Sequence, residues 1–221
     1  MKGSIILNFK NYMEISGEKT LELAKIAETI SRRFKVEIIL APPQASLFCI
    51  TKSVKLQVIS QHIDNEKVGS TTGFFIPELA KSYGVVGSLI NHSEHRLDHK
   101  IIKQLVNRLR KLDMLSIVCA SDATEVGMLS KFNPDMIAIE PPELIGTGRA
   151  VSKVNPAIIR DSVTEAKKYS ESKVICGAGI VDKSDVISAI ELGSQGILIA
   201  SGVIKAQSWK EKLSELVQAF T

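Results

Sequence analysis

Leu115-Ser116-Ile117-Val118-Cys119-Ala120, followed one residue later by Asp122-Ala123-Thr124-Glu125, is a strand that runs into a helix start. The first six residues form a short, nearly continuous apolar run, the pattern of a strand buried on both faces of a parallel sheet. The next four resemble a capping box, in which side chains at the first and fourth positions satisfy free backbone N–H groups. Working outward, seven more runs of the same kind appear: Ile5–Phe9, Val36–Ala41, Leu56–Ser60, Val85–Ile90, Met136–Glu140, Lys173–Cys176 and Gly196–Ala200.

The stretches between these runs carry the helical period. Leu23, Ile26, Ala27, Ile30 and Phe34 share one helix face, and so do Ile102, Leu105, Val106 and Leu109. Leu213, Leu216, Val217 and Phe220 repeat the stripe near the C-terminus. Asn155-Pro156 reads as an N-cap followed by proline at the first helical position. The segments after the second and third strands are shorter and predict weaker helices. Eight strands alternating with helices fit either an open doubly wound sheet or a closed barrel. All eight strands are alike, with no obvious edge strand, which favours closure. The expectation is an α/β fold: one (β/α)8 barrel domain over residues 1–221, eight parallel strands surrounded by helices.

Composition narrows the function classes. Hydrophobic residues make up 44% of the 221, enough for a sizeable core, and no apolar run reaches membrane-spanning length. The N-terminus starts a strand and does not read as a secretion signal. Three cysteines, an odd number with no C-x-x-C pair, argue against a disulfide scaffold or zinc ribbon and for a cytoplasmic setting. A net charge of +4, with bases scattered among acids, does not point to nucleic-acid binding. It provides a mild bias toward an anionic substrate.

In a barrel of this kind, chemistry sits on the loops after the strands. The first strand ends Asn8-Phe9-Lys10, and alternation puts Asn8 and Lys10 on one side. A lysine aimed into a barrel mouth calls for an anion or carboxylate partner. The fourth strand ends Asn91-His92-Ser93-Glu94-His95-Arg96. Here His92 is expected at the start of a helix, whose N-terminus favours an uncharged imidazole able to donate to a carbonyl oxygen. A rival reading makes His92, His95 and His99, spaced along one helical face, a metal site. The absence of an H-E-x-x-H motif or a carboxylate–histidine cluster weighs against it, and His95 and His99 read better as helix-surface residues.

The sixth strand ends in Glu140, where desolvation suits a carboxylate to act as a general base. Pro141 and Pro142 stiffen the loop that follows, and Gly146 and Gly148 keep its far part permissive, as in a lid. Glu143, beyond both prolines, reads as a hinge or lid residue. Cys176-Gly177-Ala178-Gly179 and Ala200-Ser201-Gly202 end the seventh and eighth strands. Small residues there let backbone N–H groups approach a phosphate.

Taken together, Asn8-x-Lys10, Asn91-His92-Ser93-Glu94-His95-Arg96, Glu140-Pro141 with Ile145-Gly146-Thr147-Gly148, and Cys176-Gly177-Ala178-Gly179 resemble the signatures of the triosephosphate isomerase family. They occur in the family's order along essentially the whole chain. The short length, the Pro-Pro-Glu lid start and the Cys-Gly-Ala-Gly loop resemble its archaeal branch. The resemblance implies the TIM barrel fold and a base at Glu140. It implies an electrophile at His92 and a substrate-binding Lys10 supported by Glu94, with Asn8 orienting the substrate. It places phosphate on the backbone of Gly146, Gly179, Ala200 and Ser201, with Ile145 beside it. Thr72 and Gly73 match an intersubunit loop, which implies a homodimer or homotetramer.

No cofactor and no metal are implied, and the substrate is a small phosphorylated triose. Departures from the common pattern are Gly179 where many relatives carry serine, Ala200-Ser201 for a glycine pair, Glu143 for an aromatic residue and His95 for arginine. Rival readings are an epimerase, a Schiff-base aldolase using Lys10, and a non-catalytic phosphate sensor.

Overall fold

A computed structural model of the chain describes residues 3–144 and 150–221. The eight strands are β1 (Ser4–Asn8), β2 (Glu37–Ala41), β3 (Gln57–Val58), β4 (Gly87–Ile90), β5 (Leu115–Ala120), β6 (Met136–Ile139), β7 (Lys173–Cys176) and β8 (Gly196–Ile199). All pair in parallel, in the order β3-β2-β1-β8-β7-β6-β5-β4. The ring closes between β3 and β4 through one parallel bridge, Ser60 to Ser88, with the Ser60 N–H donating to Gly87 O at 2.9 Å. The barrel expected from the sequence is therefore present, with all eight strands at the expected places. They are not equal, however, because β3 keeps only two residues.

The connections are α1 (Glu18–Phe34), α2 (Leu47–Ser53), α3 (Pro77–Ser82), α4 (His99–Lys111), α5 (Ala123–Ser130), α6 (Val151–Val154), α7 (Pro156–Lys167), α8 (Lys183–Glu191), α9 (Ser201–Ile204) and α10 (Trp209–Val217). The stripes read from sequence are the buried faces: Leu23, Ala27 and Ile30 in α1, and Ile102, Leu105, Val106 and Leu109 in α4. The helices after β2 and β3 are the expected short ones, of seven and six residues. Asp122 caps α5 by accepting from the Glu125 N–H, but the reciprocal carboxylate bond goes to the Ser121 N–H rather than to Asp122. Asn155 stands at the N-cap of α7 without a side-chain cap bond.

Alternation along the strands divides the core in two. Ile6, Ile39, Ile59, Leu89, Ile117, Cys119, Ala138, Ile175 and Leu198 fill the barrel interior. Ile5, Leu7, Phe9, Ile38, Leu40, Ile90, Val118, Ile137, Ile139 and Cys176 face the helix layer. Burying a side chain such as Phe9, which is fully enclosed, stabilises by roughly 1.5–3 kcal/mol. The same phase sends Asn8 and Glu140, two residues beyond the interior Ile6 and Ala138, toward the axis at the strands' C-terminal ends. Among the described residues no helix is long and apolar enough to cross a membrane.

Candidate active site

A cavity of about 400 Å³ opens at this end of the barrel, and Asn8, Lys10, His92, Glu140, Gly179, Ala200 and Ser201 all line it. Glu140 is 4% exposed although it follows the last strand residue. Its N–H continues the ladder to Ala120 O at 2.8 Å, which fixes the backbone. Across the cavity the His92 Nε2 stands 3.5 Å from Glu140 Oε1. Among the described residues, the other carboxylate oxygen, Oε2, has no hydrogen-bond partner, nor has Ser93 Oγ; both residues line a smaller adjoining cavity of about 250 Å³. Burying a carboxylate oxygen without a donor is costly.

The packing around Glu140 is close. The β6–β7 register sets Gly177 beside it, and a Cβ added there would lie 2.5 Å from Glu140 Cγ. Cys119 lies behind. Burial first, and then the Glu140 charge, push its thiol well above the usual thiol range.

His92 reaches the cavity by a different route from the one expected. The helix does not begin beside it: residues 91–98 form a turn, and α4 starts seven residues on, at His99, capped by Asp98. What orients the ring is a local bond. The Glu94 N–H donates to His92 Nδ1 at 3.2 Å, which puts the ring proton on Nε2, the atom facing the cavity. Because the segment is not helical, the three-histidine face does not exist either. His95 lies in the turn with its ring stacked 3.7 Å from that of His62, and His99 opens α4 with Nε2 3.7 Å from Glu125. The reading of these two as helix-surface residues holds for His99 alone. Among the described residues no group of three ligating side chains is arranged to hold a metal ion.

Lys10 follows β1 in the left-handed region, φ +50°, where its N–H donates to Asn8 Oδ1 at 2.9 Å. Its Nζ is 2.8 Å from Glu94 Oε1, the carboxylate partner that an inward lysine requires. Opposite lies the wall made by the seventh and eighth loops. Gly179 adopts φ +72°, and Gly202 sits so close to Ile180 O that a Cβ would approach to 2.7 Å. These glycines let the two loops meet, and Gly177, Gly179, Ala200, Ser201 and Gly202 line the cavity between them. Together the walls supply a carboxylate, an imidazole N–H, an ammonium and a small-residue cradle suited to an anion.

Comparison with known proteins gives this arrangement a family. The triosephosphate isomerase family profile matches residues 3–219. The chain belongs to the triosephosphate isomerase family. A triosephosphate isomerase of Cenarchaeum symbiosum (strain A) is 48% identical over 217 residues, 98% of this chain and 97% of that one. Those of Methanothermus fervidus and Archaeoglobus fulgidus are each 44% identical, over 214 and 216 residues, covering 96% and 97% of this chain and the same shares of theirs.

Of the residues the triosephosphate isomerase resemblance pointed to, Asn8, Lys10, His92, Glu140, Gly179, Ala200 and Ser201 share the one cavity, with Glu94 at its edge through Lys10. Ile145 and Gly146, with Gly148, lie outside the described residues. Glu143 is exposed in a 3-10 turn, Pro142–Leu144. Thr72 and Gly73 are exposed in the loop between β3 and α3. Sequence reasoning missed Tyr12 and Lys205, which line the same cavity with the Lys205 Nζ 4.9 Å from the Tyr12 ring centroid. No local signal marks that pair, because it forms only when the first and eighth loops meet. Sequence reasoning also missed the Gly177–Glu140 contact, which the pairing of β6 with β7 creates.

Proposed function

We propose that the chain is an isomerase that interconverts dihydroxyacetone phosphate and D-glyceraldehyde 3-phosphate through an enediolate, a step shared by glycolysis and gluconeogenesis. The observation that carries this reading is the facing pair, Glu140 Oε1 and His92 Nε2 at 3.5 Å, in a cavity that Lys10 and the small-residue loops also line. Glu140 removes a proton from the carbon beside the carbonyl and returns it to the neighbouring carbon. His92 donates from Nε2 to the oxygen on which charge develops, Lys10 stabilises the same charge, and the hydroxyl proton passes from one substrate oxygen to the other by way of the His92 ring. A glutamate base working with a neutral histidine electrophile is the general pattern of triosephosphate isomerases, and the pair in this cavity matches it. Asn8 orients the substrate, while amides at Gly179, Ala200 and Ser201 hold the phosphate.

The substrate's own carbonyl is the electron sink, so the scheme calls for no cofactor. The exposed loop at Thr72 and Gly73 fits a homodimer or homotetramer, and the free cysteines fit a cytoplasmic enzyme.

A coupled isomerase assay on the purified chain tests the activity directly. Glu140→Asp retracts the carboxylate by about one C–C bond, and turnover is expected to fall steeply while substrate binding and fold persist. Near-parental turnover would remove Glu140 from the role. Borohydride trapping with substrate reads the aldolase alternative: a covalent adduct on Lys10 would favour it.

A further inference from the structure

Strand phase alone would point residue 92 the wrong way. Along β4, Leu89 faces the barrel interior and Ile90 the helix layer, so continued alternation would carry residue 92 outward with Ile90. His92 nevertheless lines the cavity. The reversal occurs at Asn91, which adopts φ +63°, a left-handed conformation that asparagine tolerates better than most residues with a Cβ.

A glycine would supply that backbone turn alone. Asn91 is fully buried and adds three bonds. Its Oδ1 accepts from the Leu97 N–H at 2.9 Å, which closes the 91–97 turn on itself. Its Nδ2 donates to Cys119 O at 2.9 Å, fastening the turn to β5, and to Glu125 Oε1 at 3.4 Å, fastening it to α5. Glu125 is a firm anchor. Burial by itself would raise its pKa, but the Ser121 N–H and hydroxyl and the Arg96 guanidinium outweigh burial and hold it below the usual carboxylate range.

We propose that Asn91 is a positioning residue for the isomerisation: it acts through His92 by pinning the 91–97 turn to β5 and α5, so that the imidazole presents Nε2 to the cavity. The proposal rests on the reading of His92 as the electrophile. Asn91 itself touches neither substrate nor cavity in this role.

The test is a double-mutant cycle in the full chain, with Asn91→Gly and Asn91→Asp made alone and in the His92→Ala background. Glycine keeps the left-handed turn and removes all three bonds. Aspartate keeps the bond from Leu97 and loses both donated ones, and it carries the cycle if the glycine variant fails to fold. Asn91→Gly is expected to lower kcat about 10- to 100-fold with KM within about threefold, the signature of a misplaced catalytic group. In the His92→Ala background the same change is expected to cost less than about twofold more, because the group it positions is gone.

Parental kcat in both single variants overturns the proposal. So does an undiminished drop in the His92→Ala background, since Asn91 would then act by another route. If His92→Ala alone leaves kcat unchanged, the electrophile reading fails and the proposal falls with it. That outcome is distinguished by appearing before Asn91 is altered.

Discussion

Gly177→Ala is the smallest change that moves the proposed base without altering it. Gly177 lies outside the left-handed region, so alanine meets no backbone strain there. The added Cβ would stand 2.5 Å from Glu140 Cγ, 3.2 Å from Cδ and 3.3 Å from Oε1, whereas ordinary contact begins at 3.4 Å. Glu140 must therefore retreat by about 0.9 Å from the new methyl. With His92 Nε2 3.5 Å away on one side and the buried Cys119 behind, the retreat is into the cavities that Glu140 lines, which moves the carboxylate without straining the core. A misplacement of about 1 Å costs on the order of 10²-fold in rate, or roughly 2.7 kcal/mol of barrier.

The assay is steady-state turnover with both triose phosphates, run beside competitive inhibition by inorganic phosphate and a thermal melt. The expected result is a kcat loss near that size, with phosphate inhibition and melting temperature close to the parent's. A kcat within about threefold of the parent would overturn this account of Glu140, because the base would then tolerate the displacement that the contact imposes. Equal collapse of kcat and phosphate inhibition would refute it in another way, by tracing the loss to the seventh loop instead of to Glu140.

Burial pushes the Cys176 thiol up to about 12 and Cys119 well above its usual range, while Cys49 is exposed. A disulfide reagent at pH 8 is expected to label one thiol in the native chain and all three after denaturation. Glu125 has a folded pKa below its unfolded one, so its contribution to stability is full above the unfolded carboxylate pKa of about 4.3 and disappears as pH falls through the lowered value. Stability curves should accordingly show a shallower acid limb for Glu125→Gln than for the parent, and identical limbs would contradict the linkage. Lys205, on the cavity wall above Tyr12, adds positive potential for a dianionic substrate. Lys205→Gln is expected to lower kcat/KM severalfold at low ionic strength and to flatten its decline with added salt, read by titrating salt into the same assay.

The strands were legible because a strand buried on both faces has no polar alternation to hide it. Ile137 and Ile139 meet helices, Ala138 meets the barrel axis, and the run reads as continuous apolar sequence. Site residues at strand ends were legible for a related reason: Asn8 and Glu140 keep the phase of the interior residues before them. That phase breaks down at His92. One left-handed residue undoes both the alternation and the inference of an adjacent helix, and the cap that truly starts α4 is Asp98, farther along the chain. The stacking of His95 on His62 and the meeting of Lys205 with Tyr12 join distant loops, and neither partner carries a mark of the other in its own neighbourhood.

The ring is thinnest at two joins, β3 to β4 with the Ser60–Ser88 bridge and β7 to β8 with the Cys176–Ile197 pair. β1 and β8, near the two ends of the chain, are zipped over four residue pairs, whereas β3 and β4 are joined by the Ser60–Ser88 pair and three backbone bonds, from the Ser60 N–H to Gly87 O, the Val86 N–H to Val58 O and the Leu89 N–H to Ser60 O, each 2.9 Å. Parting there leaves a C-shaped sheet with β4 on one lip and β1 two strands in from the other, and it pulls Glu94 away from Lys10. This short join thus stands between the lysine and histidine sides of the site. If the β3–β4 join parts first under gentle denaturant, catalysis is expected to fall while most helices still hold, and the amides of Ser60 and Leu89 to exchange ahead of those in β1.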